Sequence, residues 1–146
     1  MGNICCFFGH RDTPSSIESK LEQTIIDLIE NKSVDTFYVG NQGSFDFMVR
    51  RTLKRLKVKY PHINYNVVLA YMPTEKDGKD YSDTIYPDGL ENVPRKFAID
   101  RRNKWLVDNS DYVIAYISRS FGGAAKFYDL AVKHKKEVIN LYCMKK

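Results

Sequence analysis

Short apolar runs alternate with amphipathic stretches along the whole chain. Ile4 to Phe8 is an apolar run that stops at Gly9 and predicts a buried strand. Thr13 followed by Pro14 is a helix-start signal, an N-cap residue with proline in the first turn. Ile17, Leu21, Ile25, Leu28 and Ile29 then recur at helical spacing, predicting a helix buried along one stripe that frays near Asn31 and Lys32. Thr36 to Val39 reads as a second strand ending at Gly40. Gly43 and Ser44 lead into a helix that stops before Pro61, with Phe45, Met48, Thr52, Leu53 and Leu56 on its inner face. Tyr65 to Tyr71 gives a third strand. Pro94 to Asp108 predicts a third helix, Tyr112 to Ile117 a fourth strand, Ser118 to Gly122 a loop, the residues up to His134 a fourth helix, and Glu137 to Tyr142 a fifth strand.

Strands alternating with helices imply an α/β fold: one Rossmann-like three-layer domain over residues 1–146, with a parallel sheet of about five strands. The segment from Pro73 to Pro94 lacks a helical period and is long for a connection, so a lid or crossover is expected there. If it carries the chain back across the first strand, the strand order is 3-2-1-4-5. Ligands in such sheets bind beyond the carboxyl ends of the strands where the order reverses, here between strands one and four.

Composition narrows the class. The 146 residues are 43% hydrophobic, enough for one core and short for two. No apolar run approaches the length of a membrane span, so no membrane partner and a cytoplasmic location are expected. The opening Met1-Gly2-Asn3-Ile4-Cys5-Cys6 resembles an acylation signal but has Cys6 where that signal needs Ser or Thr, and lipid there would pull the first strand from its sheet. Three cysteines without CxxC spacing, with Cys5 and Cys6 on opposite faces of one strand, suggest reduced thiols. Three scattered histidines complete no ligand set, so no metal and no cofactor are expected.

The net charge of +5 raises nucleic acid as a partner, and Arg50, Arg51, Lys54, Arg55, Lys57 and Lys59 concentrate it. These residues interleave with the apolar stripe of their helix, the pattern of a solvated face. On this ground nucleic acid is not expected.

Three loops fall at the predicted switch point or beside it. Gly9-His10-Arg11 follows the first strand; the glycine allows a tight turn, and the arginine can clamp a phosphate that also faces helix N–H groups. Gly40-Asn41-Gln42-Gly43-Ser44-Phe45-Asp46 is a glycine-containing turn that matches neither a dinucleotide fingerprint nor a Walker loop. Ser118-Arg119-Ser120-Phe121-Gly122-Gly123-Ala124-Ala125-Lys126 carries hydroxyls, paired glycines and small alanines, which let a ribose-phosphate approach a helix N-terminus. Arg102 shares the apolar stripe of its helix with Ala98, Ile99, Trp105 and Leu106. A guanidinium turned inward needs an anion, supplied by Asp108, Asp111, Asp129 or a ligand phosphate.

Cys6 to Arg11, Gly40 to Asp46, Arg101-Arg102-Asn103 through Val107-Asp108-Asn109-Ser110-Asp111, and Gly122 to Lys126 together resemble bacterial proteins of the SLOG superfamily (Smf/DprA-LOG). The resemblance covers nearly the whole chain. It implies a Rossmann-like nucleotide-binding domain, related to those that bind cyclic ADP-ribose-type signals in antiphage defence and to the Lonely Guy phosphoribohydrolases. By the phosphoribohydrolase signature, Arg102 falls on its arginine, Gly122 and Gly123 on its paired glycines, and Asp129 on its catalytic glutamate. Phe121, Ala125 and Lys126 depart from that signature, and Asp129 is one methylene shorter than the glutamate. Two functions follow from the resemblance. One is a stand-alone sensor or sponge for a nucleotide or NAD-derived molecule, held by Gly9, His10, Arg11, Gly40, Gly43, Arg102, Ser118, Ser120, Gly122, Gly123, Ala124 and Lys126. The other is an N-glycosidase acting through Asp129 and Arg102 on a nucleoside monophosphate or NAD-like substrate. A homo-oligomer is the expected assembly, and whether the protein is an enzyme stays open at this point.

Overall fold

A computed structural model describes residues 2–41, 43–71 and 84–142. Its elements are β1 (Asn3–Gly9), α1 (Glu18–Asn31), β2 (Val34–Val39), α2 (Gly43–Lys59), β3 (Asn64–Val68), β4 (Thr84–Ile85), α3 (Ala98–Asp108), β5 (Tyr112–Tyr116), α4 (Gly123–Lys133) and β6 (Glu137–Asn140), with single 3-10 turns at Ser15–Ile17, Leu90–Asn92 and Arg95–Phe97. The strands form one sheet in the order β4-β3-β2-β1-β5-β6, and every pair is parallel. The architecture is Rossmann-like. The expected order is present, with one extra strand at the edge.

That extra strand, β4, pairs Thr84 and Ile85 with Val67 and Val68. Two residues show no alternation, so the sequence signal for this strand was absent. The remainder of the expected lid or crossover from Pro73 through residue 83 lies outside the described residues, as do Met1, Gln42 and Cys143.

Each strand places successive side chains on opposite faces, and the two faces carry two cores. On one, Cys5, Phe7 and Phe37 pack against Leu21, Ile25 and Leu28 of α1 and Phe45, Val49 and Leu53 of α2. On the other, Cys6, Phe8, Val113 and Ala115 pack against Leu106 and Val107 of α3 and Phe127 and Ala131 of α4. Ile25 is fully buried, so Ile25→Ala would lose its transfer energy and leave a cavity, about 2–5 kcal/mol.

α1 opens later than the Thr13-Pro14 signal predicts. The Thr13 hydroxyl donates to the His10 carbonyl at 2.6 Å, which commits it to the preceding loop. Pro14 is extended, and a 3-10 turn delays α1 to Glu18. α3 likewise begins one 3-10 turn after Pro94.

The basic helix α2 buries its apolar stripe as its spacing predicts. Its outward arginines are partly neutralised by α1. Arg51 meets Glu18 at 2.7 Å and Arg55 meets Glu22 at 2.7 Å. Among the described residues no helix is long and apolar enough to cross a membrane.

Candidate functional site

β1 is central, with β2 on one side and β5 on the other, so the strand order reverses between β1 and β5. A cleft of about 390 Å³ lies at this point. Phe7, Phe8 and Gly9 form its β1 side, and His10, Arg11 and Gly40 bring in the loops after β1 and β2. Ile99, Arg102, Asn103 and Leu106 of α3 form one wall, and Arg119, Gly122, Gly123 and Ala124 close the β5 side. The geometry follows from topology. Parallel strands deliver all their carboxyl ends, and the helix starts that follow them, to one edge.

The loop after β1 is fixed on both flanks. On the α2 side, the Ser44 amide donates to the Arg11 carbonyl at 3.0 Å and the Ser44 hydroxyl to the Thr13 carbonyl at 3.0 Å. On the β5 side, the Ser118 amide donates to His10 Nε2 at 3.1 Å, and Arg119 pairs with Asp12 at 3.2 Å. A backbone amide only donates, so Nε2 must be the unprotonated nitrogen. Burial, together with the Arg119 charge, lowers the His10 pKa, with Asp12 opposing. Hydrogen bonding to Arg119 in turn lowers the Asp12 carboxyl.

Glycine is required where the backbone and its neighbours converge. A Cβ on Gly9 would stand 2.2 Å from the Phe45 ring, and Gly43 has a positive φ of 89° with Arg11 Cα 2.8 Å from where its Cβ would be. A Cβ on Gly40 would meet Asp46 Oδ2 at 2.7 Å and Arg102 Nη1 at 2.9 Å.

Arg102 is 3% exposed. Its Nε donates to Asn103 Oδ1 at 2.8 Å and its Nη1 to the Val68 carbonyl at 2.8 Å. Both acceptors are neutral. Burial pulls its pKa below the usual arginine value, and the charge of Asp46 works in the other direction. The carboxylates considered as its partner are engaged elsewhere or remote. Asp108 pairs with Lys104 at 2.8 Å, Asp111 accepts from the Ile4 amide at 3.0 Å, and Asp129 is exposed on α4.

Of the residues singled out from sequence, Gly9, His10, Arg11, Gly40, Arg102, Gly122, Gly123 and Ala124 line the cleft, whereas Gly43, Ser118, Ser120, Lys126 and Asp129 do not. Gly43 and Ser118 act one step behind it, through Arg11 and His10. Lys126 pairs with Asp100 across α3 and α4 at 3.0 Å, so its ammonium ties two helices together outside the cleft. Asp46, 8% exposed, lines the cleft beside Gly40 although its sequence context gave it no special weight. Asn103 and Arg119 line it too, with no distinguishing mark in the sequence. The one available signal for Asp46 was its place in the first turn of a helix that opens at the switch-point edge. Among the described residues no group of three or more His, Cys, Asp or Glu side chains is placed to hold a metal ion.

No protein-family model matches the chain. It is similar to the UPF0398 protein BH1768 of Halalkalibacterium halodurans, 26% identical over 132 residues, covering 83% of this chain and 69% of the relative. Its fold is similar to that of DNA processing protein A (DprA) from Streptococcus pneumoniae, with a TM-score of 0.67 and 15% identity over 94% of this chain. It is also similar to that of DNA processing protein A from Helicobacter pylori, with a TM-score of 0.64 and 15% identity over 93%. The chain spans 49% and 63% of those two proteins. The Helicobacter protein is described with a single-stranded DNA binding mode. That finding corrects the expectation that nucleic acid can be set aside as a partner. The charge pattern of α2 gives no sign of this; the likeness lies in the fold. With these neighbours, the chain has a Rossmann-like fold of the kind that DNA processing protein A has.

Proposed function

We propose that the cleft between β1 and β5 binds a phosphate-bearing nucleotide. One observation carries the reading: a guanidinium 3% exposed, on a cleft wall, whose hydrogen bonds go to the neutral oxygens of Asn103 and Val68. Burying a charge is costly unless an opposite charge meets it. The charge of Asp46 offsets part of that cost, and a phosphate in the cleft would offset more, supported by Arg11, Arg119 and the first amides of α4 behind Gly122 and Gly123. Nucleotides and NAD-derived molecules such as ADP-ribose or its cyclic forms bring such a phosphate together with a ribose, which suits a sensor or a sponge. Cleavage by an N-glycosidase route is the weaker reading, because Asp129, its intended carboxylate, is exposed on α4 and does not line the cleft.

A second reading, capture of single-stranded nucleic acid at the same edge, is favoured by Phe121. This ring is 67% exposed on the loop that carries the cleft-lining Arg119 and Gly122, and it lies 5.6 Å beneath Arg119. An aromatic face beside a cation is a platform for stacking a base.

Thermal-shift measurements with AMP, ADP-ribose, cyclic ADP-ribose isomers, NAD and a short single strand test both readings. A ligand at about 100 times its dissociation constant stabilises by about 2.7 kcal/mol. Chromatography of each mixture then shows whether the ligand is returned intact. No shift with any nucleotide overturns the first reading, and a shift with the strand alone installs the second.

A further inference from the structure

The loops after β1 and β5 are joined by two contacts of different kinds. The Ser118 amide donates to Nε2 of the buried His10 at 3.1 Å, which fixes the backbone of the β5 loop. Arg119 pairs with Asp12 at 3.2 Å, through side chains that are 37% and 73% exposed. The first contact is sheltered. The second sits at the surface, where ion pairs are weak.

This pair straddles the boundary of the cleft. Arg119 lines the cleft, and the carboxylate that holds it lies outside. Arg102 is different, being 3% exposed and fixed by Asn103 and the Val68 carbonyl. Of the two guanidiniums, Arg119 has the more room to turn. The Phe121 ring, 5.6 Å away, gives it a cation–π support that does not involve Asp12.

Resting on the nucleotide reading above, we infer that Asp12 competes with the ligand's phosphate for Arg119, so that binding exchanges one anion for the other at this guanidinium. The exchange needs one side chain to turn, because the His10 contact keeps the loop backbone in place. A terminal phosphate, with a charge of about −2 and three acceptor oxygens, is a stronger partner than a carboxylate. Hydrogen bonding to Arg119 holds the Asp12 carboxyl below its usual range, so Asp12 is ionised at neutral pH and the competition operates there. Asp12 thus lowers the affinity of the cleft for anions without touching the ligand.

The test is isothermal titration of AMP at low salt into the wild type, Asp12→Asn, Arg119→Ala and the double variant. Asn keeps the turn-forming side-chain oxygen of Asp12 and lacks its charge. Loss of an exposed ion pair of this kind tightens AMP about two- to fivefold in Asp12→Asn, and the gain shrinks toward none in the Arg119→Ala background. It also shrinks in about 1 M salt, where screening acts over about 3 Å; a gain from altered loop shape would persist. An AMP affinity that is unchanged or weaker in Asp12→Asn overturns the inference and leaves the nucleotide reading standing, and Asp12→Ser repeats the comparison with a second uncharged side chain. A gain of the same size without Arg119 overturns the exchange at that guanidinium. No uptake of AMP by the wild type or by any variant overturns the nucleotide reading and the inference with it.

Discussion

Replacing Gly9 with alanine puts a methyl group where the structure has none to spare. The new Cβ would stand 2.2 Å from Cγ, 2.4 Å from Cδ2 and 2.7 Å from Cβ of Phe45, all far inside van der Waals contact. Phe45 is fully buried and packed within the α1–α2 core, so its ring has nowhere to retreat. Overpacking a filled core costs about 1–3 kcal/mol, and three simultaneous overlaps place this case near the upper end. For a chain of this size about 3 kcal/mol lowers the melting temperature by about 6–12 °C. Circular-dichroism melts of Gly9→Ala measure it, and Gly9→Ala combined with Phe45→Leu should recover part of the loss, since the pair is in direct contact. A Gly9→Ala protein that melts within about 1 °C of wild type would refute the packing described here. So would a double variant that is no more stable than Gly9→Ala.

Three further outcomes follow from named contacts. His10 has a folded-state pKa below its ordinary 6.5 because it is buried and faces Arg119, so the unfolded chain takes up the proton first. Its contribution to stability is therefore complete above about pH 6.5 and is lost as the pH falls through the lower folded value; urea melts between pH 8 and pH 5 should show the decline, and His10→Asn should flatten it. Cys5 and Cys6 are fully buried in β1, where desolvation raises both thiols, Cys6 to about 12. Peptide mass spectrometry after iodoacetamide treatment at neutral pH should find neither alkylated in the native protein and both alkylated in denaturant. If the protein takes up single-stranded nucleic acid, Phe121→Ala should weaken it about tenfold in a filter-binding assay, whereas Arg50→Glu with Lys54→Glu on the outer face of α2 should change it little once salt dependence is matched.

The elements with a long apolar period were legible from the sequence. Leu21, Ile25 and Leu28 announced α1, Phe45, Met48, Leu53 and Leu56 announced α2, and the alternation of strands and helices sufficed for the sheet order on either side of β1. Ends were harder to read, because local hydrogen bonds decide them. Thr13 donates to His10 and so delays α1, and β4 is two residues held in place by β3 with no pattern of its own. In the cleft, glycines and Arg102 were visible as residues out of keeping with their surroundings. Asp46 was not, because a helix-start aspartate looks ordinary until α3 brings Arg102 over Gly40. Lys126 and Asp129 followed from a loop signature alone, while the helix that starts at Gly123 turns Lys126 toward Asp100 and leaves Asp129 exposed.

The most direct test of the cleft as a nucleotide site is isothermal titration of AMP into the wild type and into Arg102→Lys, which keeps the charge and removes the planar fork of donors. A nucleotide site at this cleft takes up one AMP per chain, with an affinity at least tenfold weaker in a variant that still melts cooperatively. An AMP affinity unchanged by Arg102→Lys, or no uptake by the wild type, would contradict it.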